Sequence, residues 1–356
     1  MRASAFPARS ATIRDVATRA GVSTATVSRA LRGGVGVDPA TRKRVEVAAA
    51  ELRYRPSRVA RSLKLRATQT IGLIVTEIEN PYFPQIVRAV EDAARERDYS
   101  VILADGRHDA SREIQALEVL AERQVDGLLI ASSDLTDRHR SWIDERPCPV
   151  VIINSGSPAP DVPAVLSDNY TGGRLGIEHV LDLGHRQIAY LGAEPSGNIA
   201  VEERLAGTRA ALADHGLGPG GFTMVYGDGG VESGALAAQR ALEQQPRTTA
   251  LVCYNDLTAV GALRGLRSAG LRVPHDVSVV GFDDIELAPY VDPSLTTVRQ
   301  VTDEMGRRAV ETLLDAIEGA PAERSVADSG QSLVQRIPVE LVVRESTAPV
   351  RSDQRD

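Results

Sequence analysis

The chain has 356 residues, 42% of them hydrophobic and 25% charged, which is ordinary for a protein with two or three packed domains. No run of about 18 uncharged apolar residues occurs, and no continuous apolar run follows the N-terminal arginines, so neither a membrane span nor a secretory signal is expected and the cytoplasm is the expected location. The net charge of −7 conceals an asymmetry: residues 1–66 carry 15 basic and 4 acidic side chains, the remainder 26 and 44. A basic arm on an acidic body suggests a polyanion partner for the arm and none for the body.

Residues 1–11 lack periodicity and read as a disordered leader. Thr12 and Asp15 have the spacing of a capping box, and Ile13, Val16, Ala17 and Ala20 then share one helical face. Gly21 ends that helix. Ser23 caps a second helix, Thr24 to about Leu31, with Val27, Ala30 and Leu31 inward and Thr24, Ala25, Ser28 and Arg29 outward. Two short helices around a glycine turn predict a helix-turn-helix whose second helix enters a major groove. Asp38 and Pro39 open a third helix to about Leu52, through Val45, Val47, Ala48 and Leu52. The all-α headpiece is thus expected over 12–55, with a hinge helix and linker over 56–69. The hinge is too short to be a stable helix by itself.

The run DVATRAGVSTATVSRAL followed by YRPSRVARSLK resembles the LacI/GalR family of transcriptional regulators. The resemblance extends over the chain after residue 11. It implies a homodimer on a near-palindromic double-stranded DNA operator. Paired hinge helices would enter the central minor groove, with Leu63 wedged between bases and followed by Lys64 as in the purine-repressor-like branch. By position it implies Thr24 and Ala25 as the main base-reading residues and Arg29 as a base or phosphate contact. Ser23, Thr26, Ser28 and Arg58 are the corresponding phosphate contacts, and Thr12 completes the candidate DNA-binding set.

From Thr70 onward short apolar runs alternate with amphipathic helices. Strands are expected near 71–76, 101–104, 127–131 and 150–153, then near 188–191, 224–226, 251–254 and 277–282. This alternation predicts an α/β body of two doubly wound parallel-sheet lobes, with a ligand in the cleft between them. The resemblance implies lobes of periplasmic-binding-protein type with three chain crossings. The first lobe would be about 70–166 and 297–325, the second about 167–294 and 330–345, with a surface loop over 321–330 and a polar tail over 346–356. It also implies Tyr82, Phe83, Arg204, Asn255 and Asp283 as contacts to a small-molecule effector. Arg204 alternatively forms a surface ion pair with Glu202. Asp256 reads as a helix N-terminal acid, Asp168-Asn169 as a helix cap and His185 as a packing residue. Where sugar- and purine-binding relatives carry a stacking aromatic in the second lobe, this chain has Gly229.

No GxSxG elbow, P-loop or HExxH is present, so no enzyme is expected. Cys148 and Cys253 lack metal spacing, and no metal or other cofactor is expected. The expected function is a repressor whose operator affinity is changed by a small polar, sugar-like or nucleoside-like ligand, with repression relieved by binding. The alternatives are a corepressor-dependent regulator and the solute-binding protein of a transporter, which needs no basic headpiece.

Overall fold

The computed structural model describes residues 11–31, 36–54, 67–131, 135–145, 148–154, 161–194, 198–319 and 333–351. They fall into two units, Met1–Thr68 and Gln69–Asp356.

The first unit holds α1 (Ile13–Ala20), α2 (Thr24–Leu31) and α3 (Pro39–Glu51). The backbone amide of Thr12 donates to Asp15 Oδ2 at 2.7 Å and that of Asp15 to Thr12 Oγ1, the reciprocal capping box anticipated from the sequence. Gly21 ends α1 with φ 66°, a left-handed conformation that disfavours any side chain with a β-carbon. Asp38 accepts from the Thr41 amide and Pro39 takes the first turn of α3. The three helices meet on Val16, Val27 and Val45, all fully buried. One expectation is corrected. Val47 is 45% exposed, and Ala49 goes inward instead. The inward row of α3 is Val45, Ala48 and Ala49, at i, i+3 and i+4; position 47 lies about 200° round from 45.

The second unit has two sheets. The elements of the first half are β1 (Thr70–Val75), α4 (Tyr82–Glu96), β2 (Ser100–Asp105), α5 (Ala110–Glu122), β3 (Gly127–Ala131), α6 (Asp137–Glu145), β4 (Val150–Ile153) and β5 (Ala164–Ser167). There follow α7 (Asn169–Asp182), β6 (Ile188–Ala193), α8 (Ile199–Asp214), β7 (Phe222–Gly227), α9 (Val231–Gln244), β8 (Ala250–Cys253), α10 (Asp256–Ser268) and β9 (Ser278–Asp283). The chain closes with β10 (Thr296–Gln300), α11 (Thr302–Ile317), β11 (Val334–Ile337) and β12 (Val339–Val342). The first sheet runs β11-β5-β4-β3-β1-β2 and the second β12-β10-β9-β8-β6-β7. Every pairing is parallel except that of β10 with β12. The inner strands β3, β4, β8 and β9 are buried along their whole length, as sheets covered on both faces require.

The lobe boundaries need two corrections. β10 was expected in the first lobe and belongs to the second sheet, beside β9. β11 was expected in the second lobe and belongs to the first sheet, beside β5. Parallel register with the neighbouring strand decides both placements. α11 packs on α4, β3, β4 and β5, in the first lobe. The chain therefore changes lobe after Ser167, after Gln300 and at Pro338.

The segment after Glu345 is also corrected. Ser346 is fully buried, its hydroxyl donating to the Val279 carbonyl and accepting from the Thr296 amide. The Val350 amide bonds the Leu183 carbonyl, so 346–350 is part of the second lobe rather than a polar tail. His185 packs against this segment, donating from Nε2 to the Ala348 carbonyl at 3.0 Å and accepting from Thr249 at Nδ1. Burial holds its pKa below the usual imidazole range.

Among the described residues, no group of acids, histidines and cysteines could hold a metal ion, and no helix is long and apolar enough to cross a membrane.

Candidate functional site

In the headpiece, α2 buries Val27 and Ala30 against α1 and α3. Its burial leaves Thr24, Ala25 and Arg29 exposed and Thr26 and Ser28 half-buried. Ser23 stands at the start of the helix, its hydroxyl accepting from the Thr26 amide at 3.1 Å. The side chains anticipated as base-reading thus share one open face at the N-terminal half of a helix, the geometry of a groove-reading element. Thr12 is tied up in its capping box. Arg58, Leu63, Lys64 and the expected hinge helix lie outside the described residues.

In the body, the loops after the strands of both lobes line a cavity of about 730 Å³, within the range of small-molecule sites. It brings together all five residues anticipated as effector contacts: Tyr82, Phe83, Arg204, Asn255 and Asp283. The floor is built around Arg204. Close packing of α7 on α8 sets its position, because a β-carbon on Gly173 would stand 2.1 Å from the Arg204 carbonyl oxygen. Arg204 is 4% exposed. Its Nε donates to Asn169 Oδ1 at 2.9 Å and its Nη1 to the Tyr254 carbonyl at 2.8 Å. The guanidinium lies 3.6 Å from the Phe282 ring centroid, a cation–π stack that fixes its plane. Its carboxylate neighbour is Asp283, 3.9 Å away, and not Glu202. Glu203 pairs instead with Arg336.

Asp283 has φ 126°, a strained value for a residue with a side chain, and is buried. Burial pushes its carboxyl up to about 6, against the pull of Arg204. Asp256 heads α10, as anticipated for a helix N-terminal acid, but fully buried, accepting from the Ile285 amide and from the Thr297 hydroxyl at 2.5 Å. Burial, then the charge of Asp283, raise it well above the usual carboxylate range.

Asn255 caps α10 through Oδ1 and donates from Nδ2 to the Gly229 carbonyl. Tyr82 is buried; its hydroxyl accepts from Asn154 and donates to Gln300 Oε1. Both residues therefore line the cleft while holding its walls in place. Asp168 caps α7 as expected. Its neighbour Asn169 does more, orienting Arg204.

Sequence reasoning missed Asn154, Gln300 and Tyr254. Gln300 Nε2 donates to Asp283 at 2.6 Å, and its Oε1 accepts from Ser167 at 2.6 Å and from Asn154 at 2.8 Å. Asn169 Nδ2 donates to Asn154 Oδ1 at 3.2 Å. Arg204, Asn169, Asn154, Gln300 and Asp283 thus form a closed circuit through both lobes. Around the mouth stand Glu77 and Glu79 on one lobe and Glu194, Asp228 and Glu232 on the other.

Known proteins agree with this architecture. Residues 68–345 match the family model described as periplasmic binding proteins and sugar binding domain of the LacI family, and residues 12–57 that of the bacterial regulatory proteins, lacI family. The chain is 37% identical over 329 residues to the HTH-type transcriptional repressor PurR of Aliivibrio fischeri (strain MJ11), covering 92% of this chain and 97% of the relative. It is 39% identical over 328 residues to PurR of Erwinia tasmaniensis, covering 92% and 96%. Among solved structures it is similar to the Lac repressor dimer bound to operator and the anti-inducer ONPF, with TM-score 0.82, 31% identity and coverage of 96% and 100%. It is also similar to the transcriptional regulator CelR–cellobiose complex, with TM-score 0.70, 34% identity and coverage of 94% and 99%. The resemblance seen in the headpiece motifs therefore holds along the length of the molecule. The chain belongs to the LacI family of bacterial regulatory proteins, as a DNA-binding transcriptional regulator with an effector-binding body of periplasmic-binding-protein type.

Proposed function

We propose that the protein represses transcription as a homodimer on a near-palindromic operator, and that a small, uncharged polyhydroxylated ligand in the cleft relieves repression. The carrying observation is the buried Arg204–Asp283 pair on the cleft floor, wired by hydrogen bonds to the strands where the chain changes lobe. Arg204 offers a fork of donors and Asp283 an acceptor, which together suit a vicinal hydroxyl pair. The acids at the mouth disfavour a phosphorylated or carboxylated ligand. Sugars occur with relatives in the CelR–cellobiose complex and in a LacI-family regulator from Enterococcus faecium with bound ribose.

In this reading Thr24, Ala25 and Arg29 read bases; Ser23, Thr26, Ser28 and Arg58 contact phosphates, with Thr12 at the edge of the same set. Leu63 and Lys64 act at the centre of the operator. Ligand shifts the balance between two lobe orientations, and the first lobe passes that shift to the hinge. A coupling of about 1–3 kcal/mol changes operator affinity roughly 5–150-fold.

The test is fluorescence anisotropy on selected operator DNA, with and without sugars and nucleosides. A ligand that weakens operator binding in the parent chain should have no effect on Arg204→Ala, which should still bind operator. A response that survives the substitution places the effector elsewhere. A ligand that tightens operator binding makes the protein corepressed rather than induced.

A further inference from the structure

We propose that Tyr254 is a specificity-determining residue of the effector cleft, its ring forming the flat apolar wall against which a cyclic ligand stacks. This rests on the cleft being the effector site.

Three independent features support the assignment. Tyr254 directly follows β8 and lines the cavity while only partly buried, unlike Tyr82, whose hydroxyl is consumed between the lobes. The loop after β7 runs beside the ring: a β-carbon on Gly229 would meet Tyr254 Cε1 at an ordinary contact distance of 3.7 Å, and the glycine adds no side chain of its own over the ring. That loop is pinned beside the ring, because Asn255 Nδ2 donates to the Gly229 carbonyl at 2.9 Å. Finally, the ring is tied to Arg204. The Tyr254 carbonyl accepts from Nη1, and the guanidinium carbon lies 5.0 Å from the ring centroid. A ligand hydrogen-bonded to Arg204 therefore lies alongside the ring.

An aromatic face gains most from a flat, partly apolar partner. The shared chemistry is a ring compound with one apolar face, whether the C–H face of a pyranose or furanose or the face of a nucleobase. Open-chain polyols offer the same hydroxyls without that face. Phe83, half-buried on the first lobe, lines the same cavity.

The experiment uses the full chain. Thermal shift compares D-glucose, D-ribose, cellobiose and adenosine with D-sorbitol and ribitol at equal concentration. Calorimetry with the best cyclic probe then compares the parent chain with Tyr254→Phe, Tyr254→Leu and Arg204→Ala. Melting without ligand confirms that each variant is folded. Cyclic probes should stabilise more than the alditols. Phe should hold affinity within about twofold, and Leu, which fills volume without a π-face, should lose about tenfold. Leu binding as tightly as the parent, alditols matching the cyclic probes, or no shift from any cyclic probe would overturn the proposal. Binding that survives Arg204→Ala removes the cleft reading itself. Binding lost with Arg204→Ala but indifferent to Tyr254→Leu removes only the role of Tyr254.

Discussion

Asn154 donates a hydrogen bond from Nδ2 to Oε1 of Gln300 at 2.8 Å, across 146 positions of sequence. Asn154 directly follows a strand of the first lobe and Gln300 ends a strand of the second. Through Asp283 on one side and Asn169 on the other, this pair closes the circuit that includes Arg204. A ligand that competes for Arg204 or Asp283 therefore disturbs bonds that join the lobes.

Gln300→Leu keeps the volume and removes every bond of the circuit at that point. It takes the acceptor from the buried Ser167 hydroxyl, leaves Asn154 Nδ2 with only the Tyr82 hydroxyl, and leaves the Asp283 carboxyl with Arg204 but without the Gln300 amide. The expected cost is roughly 2–4 kcal/mol of stability, together with a smaller ratio of operator affinities measured without and with ligand. An unchanged ratio would show that the circuit does not carry the response.

Asp283 has a folded pKa of about 6 against an ordinary value of 3.8. Its protonated form is favoured by folding, so its contribution to stability is fully present below about pH 4 and is lost as pH rises through about 6. Asp283→Asn is neutral throughout. Its melting temperature relative to the parent should be highest near about pH 7.5 and should decline toward about pH 5. A relative melting temperature that instead rises toward acid contradicts this sign.

Truncation after Glu345 removes the Ser346 bonds to Val279 and Thr296 and the buried Val350. Stability should fall by roughly 2–4 kcal/mol, seen as a melting temperature lower by about 5 °C or more. A terminus that only covered surface would leave it unchanged.

Substitutions in the headpiece should separate the two activities. Arg29→Ala should weaken operator binding by about 1–3 kcal/mol if Arg29 reads a guanine. If it contacts phosphate, the loss should be similar on all sequences and the salt dependence shallower by about one counterion. Ligand binding by the body should be unaffected in calorimetry. A changed ligand affinity would mean that the headpiece contributes to the cleft.

The headpiece was legible nearly residue by residue, because caps, a glycine stop and apolar spacing are all local signals. Val47 was the exception: a valine near the inward row reads as core until the turn of the helix is fixed by packing. In the body, the alternation of strand and helix was enough for two sheets. It could not say which sheet receives β10 or β11, since a four- or five-residue strand carries no label for its neighbours. Arg204, Asn255 and Asp283 stand at strand ends or early helix turns and were found through resemblance. Asn154 and Gln300 were not, because an amide at a strand end owes its role to partners brought together by the fold, here across the 146 positions that separate the two. Tyr254 was read as the end of a strand, and what distinguishes it is its place on the cavity wall beside Arg204 and Gly229.

A single residue, Pro338, separates the end of β11 in one sheet from the start of β12 in the other. Its ring locks φ, and it narrows the conformations open to Ile337 before it. This crossing therefore has few soft torsions, and the other two run through strand ends held by Ser167 and Gln300. Three short tethers at the base of the cleft resist sliding of one lobe over the other. They still permit a pivot. Under the proposed regulation, the ligand therefore acts by changing an angle between the lobes more than a distance.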